Sequence, residues 1–158
     1  MPAMSQTLRP LSPTALQLGY AGLLPQAFAV FLLLDGSEMR WIASAGGFGY
    51  AAIIFSFLGG LWWAMAMLNP AAPRWIFAAA IAPSLIALLT FLPWTWGWDW
   101  PGPSLLVLAA GLMVSPLVDA QIVRHITLPD GWMRLRWHLS LGLGGMTALL
   151  AFAALAQP

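Results

Sequence analysis

The sequence predicts an all-helical membrane protein whose single domain, residues 1–158, is a bundle of five transmembrane helices. Charged residues make up only 7% of the chain and apolar residues 61%, whereas a soluble domain carries about 25% charged residues. The mean hydropathy is +0.82. The few charged residues also divide the chain into long uncharged runs, which set the number of helices.

A transmembrane helix needs about 20 mostly apolar residues. Four uncharged runs of 25, 33, 24 and 19 residues are bounded by Arg9, Asp35, Arg40, Arg74, Asp99 and Asp119, and 22 uncharged residues follow Arg136. These five runs predict helices near residues 13–34, 41–68, 73–92, 102–124 and 131–156.

The arginines predict the orientation of these helices. Five spans place the two termini on opposite sides of the membrane, and cytoplasmic segments are enriched in Lys and Arg. Arg40 is alone on one side, and the arginines of the other side are Arg9, Arg74, Arg124, Arg134 and Arg136. We therefore expect a cytoplasmic N-terminus and an outside C-terminus in a bacterial inner (plasma) membrane, or alternatively in the mitochondrial inner membrane.

Small residues recur along the second predicted helix at Ala45, Gly49, Ser56 and Gly60. Small side chains allow helix backbones to approach closely in lipid. The spacing favours a packing face within the chain, with a homodimer contact as the alternative. On the last helix, a second small patch at Ser140, Gly144 and Thr147 predicts its packing face.

Prolines lie inside three of the predicted spans, at Pro25, Pro83 and Pro116. Each should kink its helix, because the ring removes a hydrogen bond and clashes with the carbonyl four residues back. A freed carbonyl in lipid needs another donor, such as a nearby hydroxyl. The kinks either curve the bundle or open a polar cavity of the kind transporters use.

Four tryptophans alternate in the segment PWTWGWDWP, residues 93–101. In an extended backbone, alternate side chains point the same way, and indoles favour the membrane–water interface. We expect an interfacial anchor on the outer side, with a partner-docking strip or an aromatic cage as alternatives. The anchor residues are Trp94, Trp96, Trp98 and Trp100.

Asp119 is the one acidic residue inside a predicted helix, and a charge within the bilayer is costly. At 1.5 Å per residue it lies roughly 7 to 8 Å from the helix end. The next helix returns to that depth near Arg136, whereas Arg134 points elsewhere. The favoured interpretation is a structural Asp119–Arg136 ion pair, and the alternative is a proton relay or ligand site.

The sequence gives little support for an enzyme, a metal site or a nucleic-acid interface. There is no Cys, and the net charge is +1. His125 and His138 are the only imidazoles, so haem or pigment ligation is a weak alternative to ordinary interfacial histidines. No nucleophile elbow or phosphate-binding loop is present. We expect no cofactor or metal, and contacts with membrane lipids.

Four segments carry a resemblance to a known family: residues 18–25 (LGYAGLLP), 57–64 (FLGGLWWA), 82–85 (APSL), and 128–129 (LP) leading to 135–137 (LRW). They resemble the transmembrane protein 69 family, small membrane proteins of uncharacterised function in bacteria and mitochondria. The resemblance implies a membrane location and no activity. At Trp62 the family pattern is often polar, so this sequence gives no expectation of a polar site on the second helix.

The leading functional expectation is a non-catalytic inner-membrane protein that binds another membrane protein, as an accessory subunit or assembly factor. The first alternative is a small transporter or channel that uses the kinked helices and Asp119. A haem or pigment binder is the weaker alternative.

Overall fold

In the computed structural model, residues 10–35 and 39–156 are described, and they form six α-helices and no strand. The helices are α1 (Pro13–Ala21), α2 (Leu24–Leu34), α3 (Arg40–Met67), α4 (Trp75–Thr95), α5 (Gly102–Ile122) and α6 (Trp132–Leu155). With α1 and α2 taken as one segment, Pro13–Leu34, the chain has five helices long and apolar enough to cross a membrane. These are the five predicted spans, with slightly different ends, and they indicate a multi-pass membrane protein.

The first span is two helices rather than one kinked helix. Ser12 begins α1, because its hydroxyl accepts the Ala15 N–H at 3.1 Å. The chain leaves the helix at Gly22 and Leu23, and α2 restarts at Leu24. Pro25 therefore lies in the first turn of α2, where its missing N–H costs no helical hydrogen bond. The prediction of a Pro25 kink is corrected to a helix start.

Helix α3 is the centre of the bundle and packs against α2, α4, α5 and α6. Its closest approach is to α4, where a Cβ added at Gly59 would overlap the backbone carbonyl oxygen of Ala80. A second close approach is at Gly47, where an added Cβ would overlap the Leu150 side chain of α6. Glycine is therefore required by space at Gly59, where the obstacle is backbone, whereas at Gly47 a larger residue would have to displace the Leu150 side chain.

The predicted packing face of α3 is wrong. Gly49 and Gly60 have open space where a Cβ would stand, and Ala45 and Ser56 are only partly buried. The buried face is rotated from this stripe and carries Phe48, Phe55, Leu58 and Trp62 beside Gly47 and Gly59. The prediction failed because lipid imposes no cost on exposed small residues, so their spacing alone does not identify the packed face.

Helices α5 and α6 form a tightly packed hairpin. Gly131 precedes α6 with a left-handed φ of 86°, a conformation open to glycine without steric cost. Ser140, Gly144 and Thr147 are buried on α6, in agreement with the predicted patch. Within α5, Ser115 donates to the Leu112 carbonyl at 2.8 Å, so a hydroxyl occupies the carbonyl that Pro116 leaves without its helical donor.

The tryptophan segment does not form the predicted extended strip. Helix α4 continues to Thr95, and the Pro93 carbonyl then accepts the N–H groups of Trp96 and Trp98. These bonds close a turn, so the backbone is not the extended strand on which the predicted alternation depends. Trp100 packs edge-on against Phe48, with 5.0 Å between ring centroids, whereas the other three indoles, Trp94, Trp96 and Trp98, are exposed.

Candidate functional site

The α5–α6 hairpin brings Asp119 and Arg136 together. Asp119 lies one turn before the end of α5, and Arg136 lies just over one turn into α6. Arg136 Nε donates to Asp119 Oδ2 at 2.7 Å, and the two side chains are 7% and 1% exposed. A guanidinium and a carboxylate at this distance neutralise each other, which lowers the cost of burying either charge.

Trp62 of α3 completes the surroundings of the carboxylate. Its indole Nε1 donates to Asp119 Oδ1 at 2.8 Å, and the side chain is 3% exposed. No polar site was expected on this helix, so the contact between Trp62 and Asp119 was not predicted. A signal was present, because the neighbouring Trp62 and Trp63 differ by about 100° around the helix and cannot share one environment.

Two serines extend the polar cluster between α5 and α6. Ser115 Oγ gives its proton to the Leu112 carbonyl, so the Ser140 hydroxyl, 3.2 Å away, donates to Ser115. Arg136 Nη2 lies 3.4 Å from the same Ser115 oxygen, a long contact. The cluster of Asp119, Arg136, Trp62, Ser115 and Ser140 thus joins three helices and carries no net charge.

A cavity of about 190 Å³ adjoins this cluster. Its polar lining consists of Arg136 and Ser140 from α6. The remaining walls come from the α1 end and its linker, α3, α5 and α6, and include Leu18, Gly22, Ile54, Leu58, Leu112 and Leu143. The site is therefore an apolar cavity with hydrogen-bonding groups at one place in its wall.

Arg134 is exposed and does not reach Asp119. It lines a separate surface cavity together with Tyr20 and His138. The Tyr20 hydroxyl lies 2.8 Å from Nδ1 of His138 and so joins α1 to α6. His125 is exposed in the loop after α5, where its backbone carbonyl accepts a hydrogen bond from Asn69.

A second buried polar contact joins α2 to α6. Gln26 Nε2 donates to Thr147 Oγ1 at 2.9 Å, and Thr147 in turn donates to the Leu143 carbonyl at 2.8 Å. Both side chains are fully buried. Among the described residues, no group of three or more His, Asp or Glu side chains could hold a metal ion.

The comparisons with known proteins identify a family and no activity. Searches of curated proteins and of solved structures gave no significant match. A family model described as "protein of unknown function (DUF3429)" matches residues 11–154. This match covers the six helices except the last residue of α6 and does not itself carry the transmembrane protein 69 name. The chain therefore belongs to the DUF3429 family.

Proposed function

We propose that this chain is a non-catalytic membrane protein that associates with another membrane protein, as an accessory subunit or assembly factor. The observation that carries the proposal is the outward stripe of α3, defined by Ala45, Gly49, Ser56 and Gly60. Gly49 and Gly60 have open space where a Cβ would stand. A helix of another protein could approach this stripe as closely as α4 approaches Gly59.

The hydroxyl of Ser56 adds a polar feature to the stripe. Within the described part of the chain its side chain makes no hydrogen bond, and the residue is only partly buried. Serine hydroxyls commonly form hydrogen bonds between transmembrane helices. We therefore place the partner's contact around Ser56.

The buried polar cluster supports a structural role for the interior. Arg136 and Trp62 each supply a donor to one oxygen of Asp119. The ion pair joins α5 to α6 and the indole hydrogen bond joins α3 to both. The polar groups of the interior are thus used within the bundle, and the lipid-facing surfaces remain for association.

A small transporter or channel is the second candidate, and the broken first span beside a cavity favours it. It has less support, because the three prolines and Asp119 do not line one common cavity. The cavity near Arg136 is lined by neither Pro83 nor Pro116, which are both buried, and Pro25 lies exposed at the start of α2. Asp119 itself is sealed against Trp62 and Arg136.

Photo-cross-linking in native membranes tests the association. A benzophenone amino acid in place of Ser56 should give an adduct with a second protein, identified by mass spectrometry. The matched control is the same amino acid in place of Leu88, which is 56% exposed on α4 and should give no such adduct. Equal adducts at both positions, an adduct only with a second copy of the chain, or no protein adduct at Ser56 would contradict the proposal.

We further propose that the arginine-rich ends of the helices face the cytoplasm of a bacterium, with the N-terminus on that side and the C-terminus outside. Arg74 precedes α4, Arg124 follows α5 and Arg134 lies in the first turn of α6. These three positions belong to one side of the bundle, whereas Arg40 begins α3 on the other. Arg9 is outside the described residues. A mitochondrial inner membrane would place the same side in the matrix.

A further inference from the structure

The cavity beside Arg136 has two polar side chains in its lining, Arg136 and Ser140, and otherwise apolar walls. Arg136 enters the lining about 6 Å along α6 from Trp132, and Leu139 and Leu143 follow toward the middle of the helix. Because helical side chains lean toward the N-terminal end, the guanidinium lies still closer to the end of the helix. The polar part of the lining is thus confined to the turn of α6 between Arg136 and Ser140, and the rest of the wall is apolar.

Arg136 has hydrogen-bonding capacity left over. Its Nε donates to Asp119 and its Nη2 makes the long contact with Ser115. An arginine carries five N–H donors, and Nη1 makes no hydrogen bond within the described residues. Nη1 is not fully buried, and Arg136 lines the cavity, so this donor is available to a ligand there.

The charge balance selects the kind of ligand. Asp119 already neutralises Arg136, so an anion in the cavity would leave an uncompensated buried charge, which is costly. A neutral oxygen acceptor can use the free donors without this penalty. The depth favours an ester carbonyl, because α6 with 24 residues is about 36 Å long and the hydrocarbon layer about 30 Å, which places Arg136 near the layer's edge.

We infer that this cavity binds one acyl chain of a membrane phospholipid, with the ester carbonyl on Arg136 and the chain along Leu139 and Leu143. The size is suitable for part of a chain, since an apolar cavity of about 150 Å³ holds a benzene molecule. Entry is available beside α1, which packs mainly on α6 and has no buried residue. This site is independent of the α3 stripe.

Native mass spectrometry with paired lipids tests the inference. The purified chain is exchanged into micelles containing equal amounts of two phosphatidylglycerols of equal chain length, one ester-linked and one ether-linked. The ether lipid lacks the carbonyl, so the protein should retain the ester lipid about tenfold more. Arg136→Lys, which keeps the charge opposite Asp119 and loses Nη1, should abolish this preference.

Two neighbouring substitutions on α3 provide the steric control. Ile54 lines the cavity, whereas Ile53 is 67% exposed on the outer surface. Ile54→Trp should fill the cavity and remove the bound lipid, and Ile53→Trp should leave it in place. Equal retention of ester and ether lipids by the unmodified chain, retention unaffected by Ile54→Trp, or retention of an isoprenoid quinone in place of phospholipid would overturn the inference.

Discussion

Trp62 and Asp119 belong to different helices, and the 2.8 Å bond from the indole Nε1 to Oδ1 ties α3 to the ion pair of the α5–α6 hairpin. A hairpin with its own Asp–Arg pair could form without α3. The indole makes α3 part of the same polar cluster, because it supplies the donor that the second carboxylate oxygen needs. Removing one member should therefore affect the stability of the bundle.

The ion pair gives the largest expected effect. Asp119→Ala leaves the Arg136 guanidinium buried without its carboxylate, which should lower the free energy of unfolding by about 3 to 5 kcal/mol. The measurement is an SDS titration in mixed micelles followed by far-ultraviolet circular dichroism. The control is Arg134→Ala, two residues before Arg136 and exposed. It should change the free energy of unfolding by less than about 0.5 kcal/mol.

A double variant separates the loss of the pair from the loss of packing. The double variant Asp119→Leu with Arg136→Leu removes both charges and keeps apolar volume. It should be at least as stable as Asp119→Leu or Arg136→Leu alone. If it is less stable than both of these single variants, loss of the ion pair is not the reason for the destabilisation.

Trp62→Phe should lower the free energy of unfolding by about 1 to 3 kcal/mol, because Asp119 Oδ1 loses its donor while the aromatic ring stays. Trp63→Phe is the matched control. Trp63 is 44% exposed, so its replacement should have an effect within about 0.5 kcal/mol. In the background of the double leucine variant the carboxylate is absent, and the Trp62→Phe effect should shrink accordingly. An unchanged effect there would assign the loss to packing.

Gly59→Ala and Gly60→Ala should differ in sign or size although the two residues are adjacent. A Cβ at Gly59 overlaps the Ala80 carbonyl oxygen, whereas a Cβ at Gly60 meets open space. Gly59→Ala should lower the free energy of unfolding by about 1 to 3 kcal/mol, because the new methyl group forces α3 away from α4. Gly60→Ala should leave the free energy of unfolding unchanged or raise it slightly. The same SDS titration compares the two, and equal losses would mean that α3 is rotated from its position in this structure.

Features that depend on helix length and on depth in the membrane could be predicted from the sequence. The five spans followed from the uncharged runs, and the Asp119–Arg136 contact followed from two helices that reach equal depth on either side of a turn. The rotation of each helix about its own axis was harder to predict from the sequence. Which of Trp62 and Trp63 turns inward, and whether Gly59 or Gly60 meets α4, depends on the neighbouring helices, and in lipid an outward small or aromatic residue carries no penalty that would reveal the answer.

The orientation can be tested with single cysteines, because the chain contains none of its own. Thr127→Cys lies in the loop between α5 and α6, and Asp99→Cys in the loop between α4 and α5; both positions are exposed. A membrane-impermeant maleimide added to intact bacterial spheroplasts should label Asp99→Cys at once and Thr127→Cys only after permeabilisation, because the arginine-rich side is expected in the cytoplasm. The two loops flank one transmembrane helix, so labelling of both in intact spheroplasts would contradict the spanning of α5, and the reverse pattern would invert the proposed orientation.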